Sequence, residues 1–110
     1  MQKLFVIVRS DLQPGAQIAQ TAHAVAEFAV AHPVEFGAWA TEERNIVCLA
    51  IPSEGALADL FALAQSKQIH GAQFREPDFD DELTAIALGD GAEKLVSSLP
   101  LALRSPRKAA

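Results

Sequence analysis

Five side chains in the stretch RSDLQPGAQIAQTAHAVAE (residues 9–27) are of types that bind anions, hold amides or move protons: Arg9, Asp11, Gln20, His23 and Glu27. Gln20 and His23 are three apart, so on a helix they share a face. Helical side chains also lean back towards the N-terminus. Taken singly, each has a bland reading: His23 as a structural or surface residue, Gln20 as an exposed helix former, Arg9 as a solvated charge or an ion-pair partner of Asp11. His23 and Glu27 are four apart and suitably spaced for a metal, but two ligands are too few for a site. His32 beside Pro33 and His70 before a weak strand offer less. The chain has no glycine-rich phosphate loop, no lysine of the P-loop type and no G-x-S-x-G nucleophile elbow. The one cysteine, Cys48, lies within IVCLAI, where a buried and inert thiol is expected.

These residues need elements to hold them. KLFVIVR (3–9) is a short apolar run rich in β-branched residues, the pattern of a strand buried on both faces. SDLQPG is a turn. From Ala16, Ile18, Ala22, Val25 and Ala29 recur at helical spacing until Pro33. VEFGAWATEE reads as a short helical turn and a loop, with Trp39 capping the core. NIVCLAI (45–51) is a second strand. Ser53 is the N-cap of a helix whose Leu57, Leu60, Phe61 and Ala64 lie on one face. IHGAQFRE (69–76) is a weaker strand, PDFDDE an acidic turn, LTAIALG (83–89) a fourth strand and AEKLVSSL (92–99) a last short helix. The order β-α-β-α-β-β-α predicts an α/β domain with a four-stranded mixed sheet packed with helices, over residues 1–103. The basic segment 104–110 is expected to fray. In such sheets ligands gather at the C-terminal ends of strands and the N-termini of the following helices, which is where Arg9, Asp11, Gln20 and His23 fall.

Bulk composition narrows the function. The chain has 110 residues, half of them apolar, enough for one core. Fourteen acidic residues against nine lysines and arginines give a net charge of −5, which argues against an uncomplicated nucleic-acid binder. LFVIV is too short for a signal peptide, and no run approaches the ~18 apolar residues of a membrane span. A cytoplasmic protein is the simplest expectation.

Together the motifs resemble the type II peptidyl-tRNA hydrolases. That family carries an apolar strand ending V-R-x-D-L, a glycine-lysine turn and a helix opening A-Q-x-x-H-A. Here stand Val8-Arg9-Ser10-Asp11-Leu12 and Ala19-Gln20-Thr21-Ala22-His23-Ala24. A later family segment, I-R-D-A-G-x-T followed by T-x-x-A-I-G, is matched by Phe74-Arg75-Glu76 and by Thr84-Ala85-Ile86-Ala87-Leu88-Gly89. The resemblance spans nearly the whole chain in order, and its details look like a bacterial branch. Three departures stand out. The family lysine, seven positions before its histidine, falls on Ala16. Its aspartate falls on Glu76. The alanine-glycine pair that follows becomes Pro77-Asp78.

The resemblance implies hydrolysis of the ester between a peptide and the 3′ ribose of tRNA, with no metal and no cofactor. It implies His23 as the base for a water, Glu76 as its orienting or proton-transferring partner, and Thr84 as a hydroxyl that positions water or donates to the carbonyl. Arg9, Asp11, Gln20 and Arg75 are implied in binding the substrate, the arginines through phosphates of the tRNA acceptor end. Two other readings fit the same residues: a non-catalytic relative that binds a ligand or protein in the same cleft, and a hydrolase of smaller esters. The resemblance also favours a homodimer, with the second long helix and the Phe36/Trp39 region as its apolar surface.

Overall fold

The computed structural model describes residues 1–104, so the basic tail expected for 104–110 lies, apart from Arg104, outside the described residues. Strand β1 (Lys3–Arg9) leads to helix α1 (Pro14–Ala31), helix α2 (Pro33–Thr41) and strand β2 (Asn45–Ile51). Helix α3 (Glu54–Ser66), strand β3 (Gly71–Glu76), a 3-10 turn (Pro77–Phe79), strand β4 (Glu82–Leu88) and the single-turn helix α4 (Glu93–Val96) follow. The sheet order is β2-β1-β4-β3, with β1 and β2 parallel and the other pairs antiparallel. The predicted four-stranded mixed α/β sheet is what forms.

β1 is apolar throughout because both of its faces are covered. Leu4, Val6 and Val8 pack with Ala24 and Phe28 of α1 and Trp39 of α2. Phe5 and Ile7 point the other way, to Leu57, Leu60, Phe61 and Ala64 of α3. Alternation along a strand makes one run serve two cores. Beneath α1 the strands carry small residues, Ala72 on β3 and Ala85 and Ala87 on β4. That lets the helix lie close to the sheet.

Two local features differ from the sequence expectation. Residues 33–41 form a full helix, started by Pro33 at its first position, where a missing N–H is harmless. As expected, Trp39 caps the core: it is buried, and its indole N–H donates to the Asn45 carbonyl at 2.8 Å. The apolar face of α3 is likewise spent on the sheet. Val34 of α2 and Leu63 of α3 stay exposed and Phe36 half-buried, so both elements keep some apolar surface. After α4, residues 99–102 lie along the outer edge of β2. The Ala50 N–H donates to the Pro100 carbonyl and the Ala102 N–H to the Cys48 carbonyl, each at 2.9 Å. Among the described residues no helix is long and apolar enough to cross a membrane.

Candidate active site at the end of the sheet

α1 buries Gln17, Gln20, Ala24 and Phe28, a stripe at spacings of three and four whose first two members are polar. Gln20 is only 2% exposed. A carboxamide so placed needs partners for both of its ends. The Thr84 hydroxyl donates to Gln20 Oε1 at 2.7 Å, and Gln20 Nε2 donates to Glu76 Oε1 at 2.9 Å. The carboxylate fixes which end of the amide is nitrogen. Residues 56 and 64 positions from Gln20 thus join it in one hydrogen-bonded line.

An irregularity in the sheet aims Thr84 at α1. Phe74 pairs with Ala85 but Arg75 pairs with Leu83, so Thr84 is an extra residue in β4. A bulge of this kind re-aims side chains. Leu83 turns into the core under α3, while Ala85 packs under α1 and Thr84 reaches Gln20. The Leu83 N–H is taken by Glu54 Oε2 at 2.7 Å, from the first turn of α3.

Glu76 is half-buried and held from two sides. Its second oxygen accepts the Asp78 N–H at 3.3 Å, closing the turn into β4. The Gln20 amide, chiefly, and then the Asp78 N–H and the charge of His23 hold its carboxyl below the usual glutamate value. The carboxylate form is therefore favoured. His23 is exposed and lies flat on Phe74, with ring centroids 4.2 Å apart and planes 11° apart. It has no hydrogen bond to Glu76 among the described residues; the ring of Phe74, not the carboxylate, sets its orientation.

Arg9 is in a different environment. It is 7% exposed, and its guanidinium makes a two-pronged contact with Asp11, Nε to Oδ1 at 3.0 Å and Nη2 to Oδ2 at 2.9 Å. Nη1 donates to Glu82 Oε1 at 2.6 Å and to the Leu83 carbonyl at 3.2 Å. The Asp11 hydrogen bonds raise the arginine above its already high ordinary pKa, and the arginine in turn holds Asp11 below the usual aspartate value. Four of its donor directions are thus spent on the protein. Arg75 is exposed, donates to the Asp81 carbonyl at 3.3 Å, and by strand alternation faces away from Phe74 and Glu76. Asp11, Glu54, Glu76, Asp78, Asp80, Asp81 and Glu82 all lie at this end of the sheet, and Ala16 adds no cation.

A family model for peptidyl-tRNA hydrolase PTH2 matches residues 2–104. The chain belongs to this family. Among solved structures, a protein of unknown function from Agrobacterium tumefaciens strain C58 superposes with a TM-score of 0.63. The likeness covers 90% of this chain and 96% of that one at 16% identity, and so bears on the fold alone. A comparison with curated proteins gave no match.

For a PTH2 member the arrangement is selective. It brings Gln20, Glu76 and Thr84 into one line, sets His23 on the same side through Phe74, and pairs Arg9 with Asp11 away from it. Arg75 stands apart. Sequence reasoning missed Phe74, Glu54 and Glu82. Phe74 had a signal, an aromatic residue in an otherwise polar strand, two positions before Glu76. Glu54 and Glu82 had none, because their contacts depend on the bulge and on a pairing 73 residues apart.

Proposed function

We propose that this PTH2-family chain hydrolyses the ester of peptidyl-tRNA with a water activated between His23 and Glu76. The observation that carries the reading is the line Thr84–Gln20–Glu76, which presents an ionised, oriented carboxylate beside an exposed imidazole. Ester hydrolysis needs a base for the water, a counterweight to the oxyanion and a proton for the leaving ribose hydroxyl. Neutral His23 takes the proton as water attacks the carbonyl carbon, and returns it to the departing oxygen. Glu76 steadies the imidazolium formed between those steps. Gln20 and Thr84, both buried, act through Glu76 as positioning residues and do not touch the substrate.

The imidazolium left on His23 balances the oxyanion, and a phosphate of the tRNA acceptor end falls to the start of α1. Its N-cap, Gln13, gives no side-chain cap and its first turn has no acidic residue, so the positive end of the helix is open to an anion. In this scheme it replaces part of the charge that a lysine at position 16 would supply. No step calls for a metal or cofactor. A second phosphate contact falls to Arg75 rather than to the engaged Arg9.

Release of peptide from N-acetylated aminoacyl-tRNA tests the proposal, with His23→Ala and Glu76→Gln in parallel. Turnover is expected to fall by roughly 10²–10⁴-fold in His23→Ala, the range for loss of a general base, and to fall in Glu76→Gln as well. Turnover equal in all three proteins would refute it. The acidic surroundings of the site favour a second reading, a hydrolase of smaller, less charged esters. Activity on such esters without activity on tRNA would select it. Binding without turnover of either would mark a non-catalytic relative.

A further inference from the structure

Two histidines and a glutamate meet at the opposite end of β3 from Glu76. His32 closes α1 and opens α2, Glu35 lies in the first turn of α2, and His70 immediately precedes β3. One ring nitrogen of each histidine and one carboxylate oxygen of Glu35 lie within 4.8 Å of one another. The two rings are stacked, with centroids 4.7 Å apart and planes 1° apart, and His70 Nδ1 is 3.9 Å from Glu35 Oε1. The six residues of β3 put about 20 Å between this group and Glu76, at the rise of a strand, so it stands apart from the catalytic reading.

Only one of the three side chains is tied to the fold. His32 Nε2 lies 3.0 Å from the Gly71 carbonyl oxygen, and its ring leans on Phe28, with centroids 4.9 Å apart. The carbonyl only accepts, so in the neutral ring the proton is on Nε2 and the lone pair on Nδ1. Metal-bound histidines habitually donate their second nitrogen to a carbonyl in this way. Glu35 and the His70 ring make no hydrogen bond among the described residues. As an ion pair, 37% and 52% exposed, they are worth little to stability. Both line a hollow of about 230 Å³ together with Met1, Gln68 and Asp90. The Asp90 carboxylate is already engaged there by the Met1 amino group at 3.5 Å and the Gln2 N–H at 2.9 Å.

We infer that His32, Glu35 and His70 bind a Zn²⁺ ion, which pins the junction of α1 and α2 to the start of β3. Two imidazoles and a carboxylate suit Zn²⁺, whereas Mg²⁺ and Ca²⁺ take oxygen ligands. Zinc bonds of about 2.0–2.2 Å put tetrahedral neighbours roughly 3.3 Å apart, so the group closes by roughly 1.5 Å at its widest. Lone pairs lie in the ring planes, and parallel planes do not meet. The ion therefore draws exposed His70 out of the stack while tethered His32 stays in place. The fourth position is left to water.

The untagged full chain is titrated with Zn²⁺ alone and followed by calorimetry and histidine-ring NMR, with Mg²⁺ as control. One saturable Zn²⁺ per chain is expected, moving the ring signals of His32 and His70 and leaving those of His23 still, with no saturable binding of Mg²⁺. Glu35→Gln and His70→Ala are each expected to bind Zn²⁺ at least tenfold more weakly, the least that loss of even a supporting group costs at a metal site. Without Zn²⁺ both variants are expected to unfold at the wild-type temperature. Zn²⁺ is expected to raise that temperature in the wild type and not in His70→Ala. His23→Ala is expected to keep the wild-type affinity, so this site stands or falls separately from the catalytic reading. Affinity unchanged in His70→Ala, ring shifts confined to His23, an equal response to Mg²⁺ or no saturable Zn²⁺ binding would each overturn the inference.

Discussion

Gln20 shows what one buried amide does for its neighbours. Its replacement by leucine keeps the volume but strips partners from Thr84 and Glu76. A loss of roughly 1–3 kcal/mol, the penalty for leaving a buried polar group unpaired, is expected in urea unfolding. The Glu76 pKa is expected to rise towards the ordinary glutamate value in the same protein, read by carboxyl NMR titration, because the largest influence lowering it is gone. Asp11 and Glu76 are both depressed in the folded chain, so their stabilisation is complete above the unfolded carboxylate pKa and lost as pH falls through their own lower values. Unfolding between pH 7 and pH 3 is expected to show flat stability at the top and a decline below about pH 4. The double variant Asp11→Asn, Glu76→Gln is expected to flatten that decline. Arg9 makes a different kind of prediction. Arg9→Met is expected to cost roughly 1.5–3 kcal/mol, the scale of hydrogen bonds to charged groups. The larger penalty of a fully buried ion pair does not apply, since Asp11 and Glu82 side chains are 43% and 41% exposed. A variant with unchanged stability and weakened tRNA binding would instead make Arg9 a phosphate ligand.

At the level of elements, α3 clips β4. Ser53 caps the helix through the Ala56 N–H at 3.2 Å, while its neighbour Glu54 leaves the helix to hold the Leu83 N–H beside the bulge. The two residues are separable by experiment. Ser53→Ala is expected to lose about 1 kcal/mol, the usual value of an N-cap, with Leu83 amide exchange unchanged relative to global unfolding. Glu54→Ala is expected to speed exchange at Leu83 selectively. How far these elements were legible follows from where their signals lie. β1, β2 and α3 could be read because burial on one or both faces leaves a local pattern. α2 was half-read, because Pro33 starts a helix as readily as it ends one, and Gly37 weakens the pattern that follows. The residues of the hydrogen-bonded line were found by resemblance, but not their connections. LTAIALG reads as a regular strand, and nothing local tells that Thr84 is the extra residue that sends Leu83 to the opposite core. For Arg9 the sequence offers Asp11 as an ion-pair partner, and the two do pair; what nothing local tells is the second partner, Glu82, 73 residues away.

Across the whole molecule, seven of the fourteen acidic residues lie at the end of the sheet where the proposed function brings tRNA. In the proposed function, with Arg9 engaged, contact with tRNA at this end rests on Arg75 and the start of α1. Two phosphate contacts give a shallow salt dependence, so tRNA affinity is expected to fall only about tenfold between 50 and 200 mM salt. A loss of ~10³-fold or more in a filter-binding series would reveal a larger basic footprint elsewhere on the chain. The segment 99–102 along the edge of β2 has one more consequence. By pairing along β2 it satisfies the Ala50 N–H and the Cys48 carbonyl on what is otherwise an open sheet edge. Unpaired edges recruit strands from other chains. A chain stopped at Leu99 therefore exposes a ready template, and its first defect is self-association through β2 rather than unfolding of the core.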